Sequence, residues 1–152
     1  MLRKKLFSAL ALSFCLFGAA FAGGHSGGGD KNPAAEYRHD VMETLGANMA
    51  ALVKVLTGRV DAPENLRVHA NTLAETSSIV ASLFPPGSEG GDALKIAWQE
   101  ADKVTEASEA SANATAVLAE AAANGDRKAI TQAFRGVGDS CKGCHERYRK
   151  ED

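Results

Sequence analysis

From Pro33 onward the apolar positions recur every three or four residues, and no segment alternates in the manner of a strand. Residues 33–57 read as a first helix, with an apolar stripe of Tyr37, Val41, Leu45, Met49, Leu52 and Leu56 and with Met42 beside it. Asn32 is placed to cap its start, Pro33 suits the first helical position, and Gly58 ends it. A second helix is predicted over 61–83, where Leu66, Ala70, Leu73, Ser77 and Val80 mark a buried face and Pro85-Pro86-Gly87 stops the run. The Pro- and Gly-rich stretch 84–91 is the longest connection. A third helix is expected over 92–124, with Trp98, Ala101, Val104, Leu118 and Ala122 turned inward and Gly125 closing it. Its many alanines let helices approach closely, yet they leave room that something large must fill. The fourth helix opens at Asp126 and carries Ile130, Phe134, Val137, Cys141, Cys144, His145 and Tyr148 on one stripe. Four amphipathic helices with mostly short connections predict an all-α fold, an antiparallel up-down four-helix bundle.

The first 22 residues break this pattern. Arg3, Lys4 and Lys5 precede an apolar run that ends in Ala20-Phe21-Ala22, the layout of a cleaved signal peptide over residues 1–22. The run is too short for a membrane anchor. Cys15 lies inside it after Phe14, where a lipid-modified cysteine would need a small residue. Residues 23–32 are rich in Gly and Ser, include His25, and read as a flexible N-terminus, leaving 33–152 as one helical domain. Cleavage after Ala22 leaves 14 basic against 19 acidic residues, a net charge of −5 that argues against nucleic-acid binding and suits a freely diffusing protein. The expected location is a bacterial periplasm.

Cleavage also removes Cys15, so the remaining cysteines are Cys141 and Cys144 in the run Cys141-Lys142-Gly143-Cys144-His145. Two cysteines followed directly by histidine form the covalent haem-attachment pentapeptide. The thiols can add to the two haem vinyl groups as thioethers, and the adjacent imidazole can bind iron. On a helix, positions 141, 144 and 145 stand at i, i+3 and i+4 and project from one face. Three rival readings exist. A structural zinc site wants four ligands, and His25, His39 and His69 have no second cysteine pair near them. A thioredoxin-like pair belongs at the start of a helix after a strand, and no strand is readable upstream. The third rival is a chance match. With haem in place the fold becomes a four-helix bundle whose haem is attached to the last helix, with the first helix able to reach the far side of the iron.

With this motif at the end of four helices, the chain resembles the cytochrome c-prime family, the class II c-type cytochromes. The resemblance rests on Tyr37-Arg38 with Met42, on Pro86-Gly87-Ser88-Glu89-Gly90-Gly91-Asp92, and on the run from Phe134 through Cys141-Lys142-Gly143-Cys144-His145 to Arg149. It implies one covalent haem c, held by Cys141, Cys144 and His145. One branch of the family keeps the iron five-coordinate and binds NO or CO at a vacant distal site. In the other branch a methionine of the first helix ligates the iron. The stretch from Met42 to Met49 looks like that second pattern, which makes His145 and Met42 the expected metal ligands. Met42 could instead only pack on the porphyrin as a flexible apolar filler. Met49, two turns on, reads as core.

The resemblance also implies that Arg38 approaches a haem propionate, for which an ion pair with Glu36 or Asp40 is the alternative. Arg149, one turn after His145, resembles the basic residue near the proximal imidazole, or is a solvated helix end. Lys142, Arg147 and Lys150 surround the motif and could form a positive rim for an acidic partner. The expected function is a periplasmic electron carrier serving redox partner proteins. It is not an enzyme, since no distal acid/base histidine is recognisable: His39 and His69 read as surface or partly exposed helix residues. A homodimer through the first two helices is compatible with the fold.

Overall fold

A computed structural model describes residues 32–151. The signal peptide expected over residues 1–22, Cys15 and His25 lie outside them, as do residues 23–31 of the expected N-terminal tail. The first helix, α1, spans Pro33–Leu56. The Asn32 side-chain oxygen accepts from the Ala34 N–H, so the predicted cap forms. At its end Thr57 is followed by Gly58 at φ 73°, a left-handed conformation that glycine adopts without penalty. Helix α2 spans Asn65–Ser77, and after it Val80–Leu83 form a 3-10 turn. Helix α3 is the single turn Ile96–Gln99, α4 spans Ala101–Asn124, and α5 spans Arg127–Tyr148. Asp126 caps α5 by accepting from the Lys128 and Ala129 N–H groups. The four long helices form an antiparallel up-down bundle, and no helix among the described residues is long and apolar enough to cross a membrane.

Two predicted elements are corrected. The second helix stops at Ser77 instead of running on to Leu83, because the chain tightens into the 3-10 turn as it approaches Pro85. Phe84, directly before that proline, sits at φ −118°, ψ 44°, outside the helical region that a following proline disfavours. The third helix does not begin at Asp92. Residues 92–94 instead lie against the chain end: the Leu94 N–H donates to the Tyr148 carbonyl at 2.7 Å and the Lys150 N–H to the Asp92 carbonyl at 2.8 Å. A further break falls at Glu100, φ −117°, ψ 42°, between α3 and α4.

The main core cluster is built from all four long helices. Leu52 and Val55 of α1, Leu66, Ala70 and Leu73 of α2, Leu118 and Ala122 of α4, and Ile130 and Val137 of α5 are its buried members. Leu52, Leu73 and Leu118 are fully buried, and each contributes about 1.5–3 kcal/mol relative to exposure. Tyr37 and Ala101, expected on inward faces, are exposed. At that end of α1 the inward positions are Ala35, Arg38 and Val41, which leaves Tyr37 to one side.

Neighbouring helices follow the order α1, α2, α4, α5, and the remaining edge, between α5 and α1, is not closed by close helix packing. Its two ends are tied differently. At the Leu52 end, Arg127 donates to the carbonyls of Val55 and Leu56 at 3.0 and 2.9 Å, satisfying groups that α1 leaves open. At the opposite end, the loop following the 3-10 turn is bonded both by Arg38 of α1 and by Lys150 just past α5, and Met42 of α1 and Cys144 and His145 of α5 lie toward this end of their helices.

Candidate functional site

Helix α5 brings Cys141, Cys144 and His145 to one face over its last two turns. The two thiols are half-buried and not joined to each other. Burial pushes the Cys144 thiol pKa up, and the neighbouring Cys141 adds to the rise. His145 is an exposed residue, yet protein around its ring desolvates it enough to lower its pKa, and the Arg149 charge lowers it further. The imidazole is therefore biased toward the neutral form that can bind a metal. Arg149 lies just past the end of α5, where its N–H donates to the His145 carbonyl at 3.0 Å. With His145, Glu146, Lys150 and Glu151 it lines a shallow surface hollow.

Gly138 stands one turn before Cys141 and two before His145. It is half-buried, and a Cβ placed there meets no atom within 4 Å. The face that carries both thiols and the imidazole thus has space beside it, and its donor set fits a haem bound through two sulfurs and one nitrogen. The rivals fare worse. Among the described residues no three of His, Cys, Asp and Glu converge as a metal site would need. The cysteine pair lies in the C-terminal half of a helix, with no strand among the described residues before it.

Met42 is half-buried on α1 and packs with Leu45 and Phe84 around the buried Val41, Val80 and Leu83. Phe84 also belongs to the cluster around Ala97, Val104 and Tyr148, which takes in Trp98 and Cys144. One phenyl ring is therefore shared by the surroundings of Met42 and of Cys144. Met49 packs against the main core, as expected.

Arg38 is buried, at 5% exposure. Its Nη1 donates to the carbonyls of Leu83 and Ser88 at 3.0 Å each, and Nη2 to that of Gly90 at 2.8 Å. The guanidinium lies 5.1 Å from the Phe84 ring centre and 5.0 Å from that of Trp98, close enough for cation–π attraction to both. Trp98 Nε1 in turn donates to the Pro85 carbonyl and to Ser88 Oγ, each at 3.1 Å. The Asn32 side chain holds the same loop through the carbonyls of Gly87 and Glu89. Arg38 was expected toward a propionate; the structure places these two nitrogens on the loop that borders the site.

The other charges near the motif are engaged. Lys142 faces Glu146 at 3.6 Å, Arg147 grips Glu100 at 2.7 Å, and Lys150 Nζ donates to the Gly91 carbonyl. His39 is exposed, and His69 Nδ1 lies 2.9 Å from the side-chain oxygen of Asn48. Glu100 is the residue that sequence reasoning missed, because its partners on α5 are 47 and 48 positions away. Hydrogen bonds from Arg147 and then Lys103 hold its carboxyl at about 2, against an ordinary 4.5. A lowered folded-state pKa gives stability that is fully present above 4.5 and lost as pH falls toward 2. Thermal unfolding across pH should therefore show wild type above Glu100→Gln at neutral pH, with the gap shrinking below 4.5 and closing near 2. A gap that stays constant with pH would mean that this carboxylate does not stabilise the fold as a charge.

The cytochrome C-prime family model matches residues 33–149 of the chain. A cytochrome c-prime of Pararhodospirillum photometricum is 31% identical over 118 residues, covering 76% of this chain and 94% of the relative. A cytochrome c-556 of Agrobacterium tumefaciens is 33% identical over 118 residues, covering 75% and 94%. Among solved structures, recombinant native cytochrome c prime from Alcaligenes xylosoxidans superposes with a TM-score of 0.74 at 28% identity, over 81% of this chain and all of that one. A nitric oxide complex of a variant of that protein also gives 0.74, at 29% identity and over 79% and 95% of the two chains. Motif, bundle and relatives agree: the chain belongs to the cytochrome c-prime family and is a monohaem c-type cytochrome with one covalently bound haem c.

Proposed function

We propose that this protein is an exported electron carrier of the periplasm in which Cys141 and Cys144 form the two thioethers, His145 binds the iron, and Met42 supplies the opposite ligand. Bound there, the haem supplies reversible one-electron uptake and release at iron. The observation that carries the reading is the shared placement of Met42 and Cys144 around Phe84 at one end of the open α1–α5 edge. From α1, the Met42 thioether is a neutral, soft donor that raises the reduction potential when it ligates. From α5, burial of its ring and then the Arg149 charge lower the His145 pKa, which biases the imidazole toward the neutral form. Val41, Val80, Leu83 and Phe84 give Met42 an apolar setting. Among the described residues His39 is exposed and His69 is engaged with Asn48, so neither is placed as the general acid/base that peroxide chemistry needs. The signal-like residues 1–22 support export.

A second reading has its own support. The nitric oxide complexes among the similar structures favour a five-coordinate protein that takes NO or CO, with Met42 as apolar filler. Spectra of the reduced protein with and without CO separate the two. A low-spin spectrum that low CO leaves unchanged is expected of the carrier. A high-spin spectrum with ready formation of a CO adduct would establish the gas-binding reading instead.

A further inference from the structure

His145 lies three residues before the end of α5, in the turn where helices ordinarily fray. In this chain that turn is tied down from outside. Both oxygens of the half-buried Glu100 carboxylate are used: Oε2 accepts from Arg147 Nε at 2.7 Å and from the Tyr148 hydroxyl at 3.0 Å, and Oε1 accepts from Arg147 Nη2 at 2.7 Å. This is the forked arginine–carboxylate geometry, which fixes orientation as well as distance. Lys103 Nζ reaches Oε1 as well, at 3.1 Å, but from an exposed position that constrains little. The Tyr148 ring is buried with Ala97 and Val104, beside Cys144, so the grip reaches the interior. Past the turn, the hydrogen bonds of Tyr148 and Lys150 to residues 92–94 hold the other side. The break in the backbone at Glu100 places its carboxylate at the N-terminal end of α4, against the last turn of α5.

We propose that Glu100 is a positioning residue: by gripping Arg147 and Tyr148 it holds the last turn of α5 so that the His145 imidazole keeps one orientation toward the iron. The inference rests on the proposed ligand role of His145. Ring orientation and the surrounding hydrogen bonds tune an iron ligand, so losing the grip alters the electronic structure of the iron and not only the stability of the fold.

The test uses the haem-loaded protein and its Glu100→Gln, Arg147→Gln and double variants, read by ferric electron paramagnetic resonance and by midpoint potential. Loss of the grip shifts the g-values the same way in both single variants, and the double variant goes no further than either, because one contact is being removed. A purely Coulombic influence gives opposite potential shifts in the two single variants, cancelling in the double, with wild-type g-values throughout; that result overturns the proposal. Tyr148→Phe removes one hydrogen bond and keeps the buried ring, so it tests the same point should a charge variant fail to fold. A smaller shift in the same direction is expected, and unchanged g-values would count against the grip. If wild type itself lacks the signature of an imidazole-bound iron, the ligand assignment fails before the question of Glu100 arises.

Discussion

Met42→Ala should convert a low-spin, six-coordinate spectrum to a high-spin one, with CO then binding readily to the reduced protein. Alanine removes the only thioether in the cluster of Val41, Val80, Leu83 and Phe84, and none of those neighbours offers a replacement ligand. The potential should also fall, since a neutral sulfur opposite imidazole is one of the factors that raise it. Truncating a partly buried methionine costs stability too, at the lower end of about 2–5 kcal/mol for such changes. Met42→Leu separates the two effects, because it keeps most of the volume and removes the sulfur. It should give the high-spin spectrum with little loss of stability. An unchanged spectrum in both variants would eliminate Met42 as a ligand.

Arg38→Met should destabilise the protein by about 3–5 kcal/mol, a large part of the roughly 5–15 kcal/mol that holds a domain of this size folded. Methionine retains the apolar stem but leaves the carbonyls of Leu83, Ser88 and Gly90 without the donors that now satisfy them, in a place that water does not freely reach. The stacking against Phe84 and Trp98 is lost as well. Arg38→Lys should recover only part of the loss, since an ammonium cannot spread its donors as a planar guanidinium does. Chemical denaturation of the haem-loaded variants checks both values. A cost below about 1 kcal/mol for Arg38→Met would mean that the loop does not depend on this side chain.

The four helices were legible because local chemistry marks them. Asn32 and Asp126 cap, Gly58 and Gly125 stop, and the stripe from Ile130 to Tyr148 keeps one face inward. The attachment run stood out because Cys141, Cys144 and His145 are close in sequence, and α5 brings them to one face. What the sequence hid depends on partners far along the chain. Residues 92–94 look helical by composition, yet they pair with the backbone around Arg149, and no local periodicity reports that. Glu100 reads as one more surface acid until α5 is packed beside it. Arg38 could be recognised as a charge needing a partner, but the partners it meets are backbone carbonyls, which carry no residue signature. Tyr37 was misplaced because a stripe stepping by four drifts on a 24-residue helix, and Arg38 takes the inward position there.

Expression of the whole chain, residues 1–22 included, in a host that attaches haem, followed by intact-mass measurement of the purified protein, bears most directly on the covalent assignment. We expect a chain beginning at Gly23, heavier than its polypeptide by one haem, with no thiol left to alkylate at Cys141 or Cys144. A colourless protein of bare polypeptide mass with both thiols reactive would contradict it.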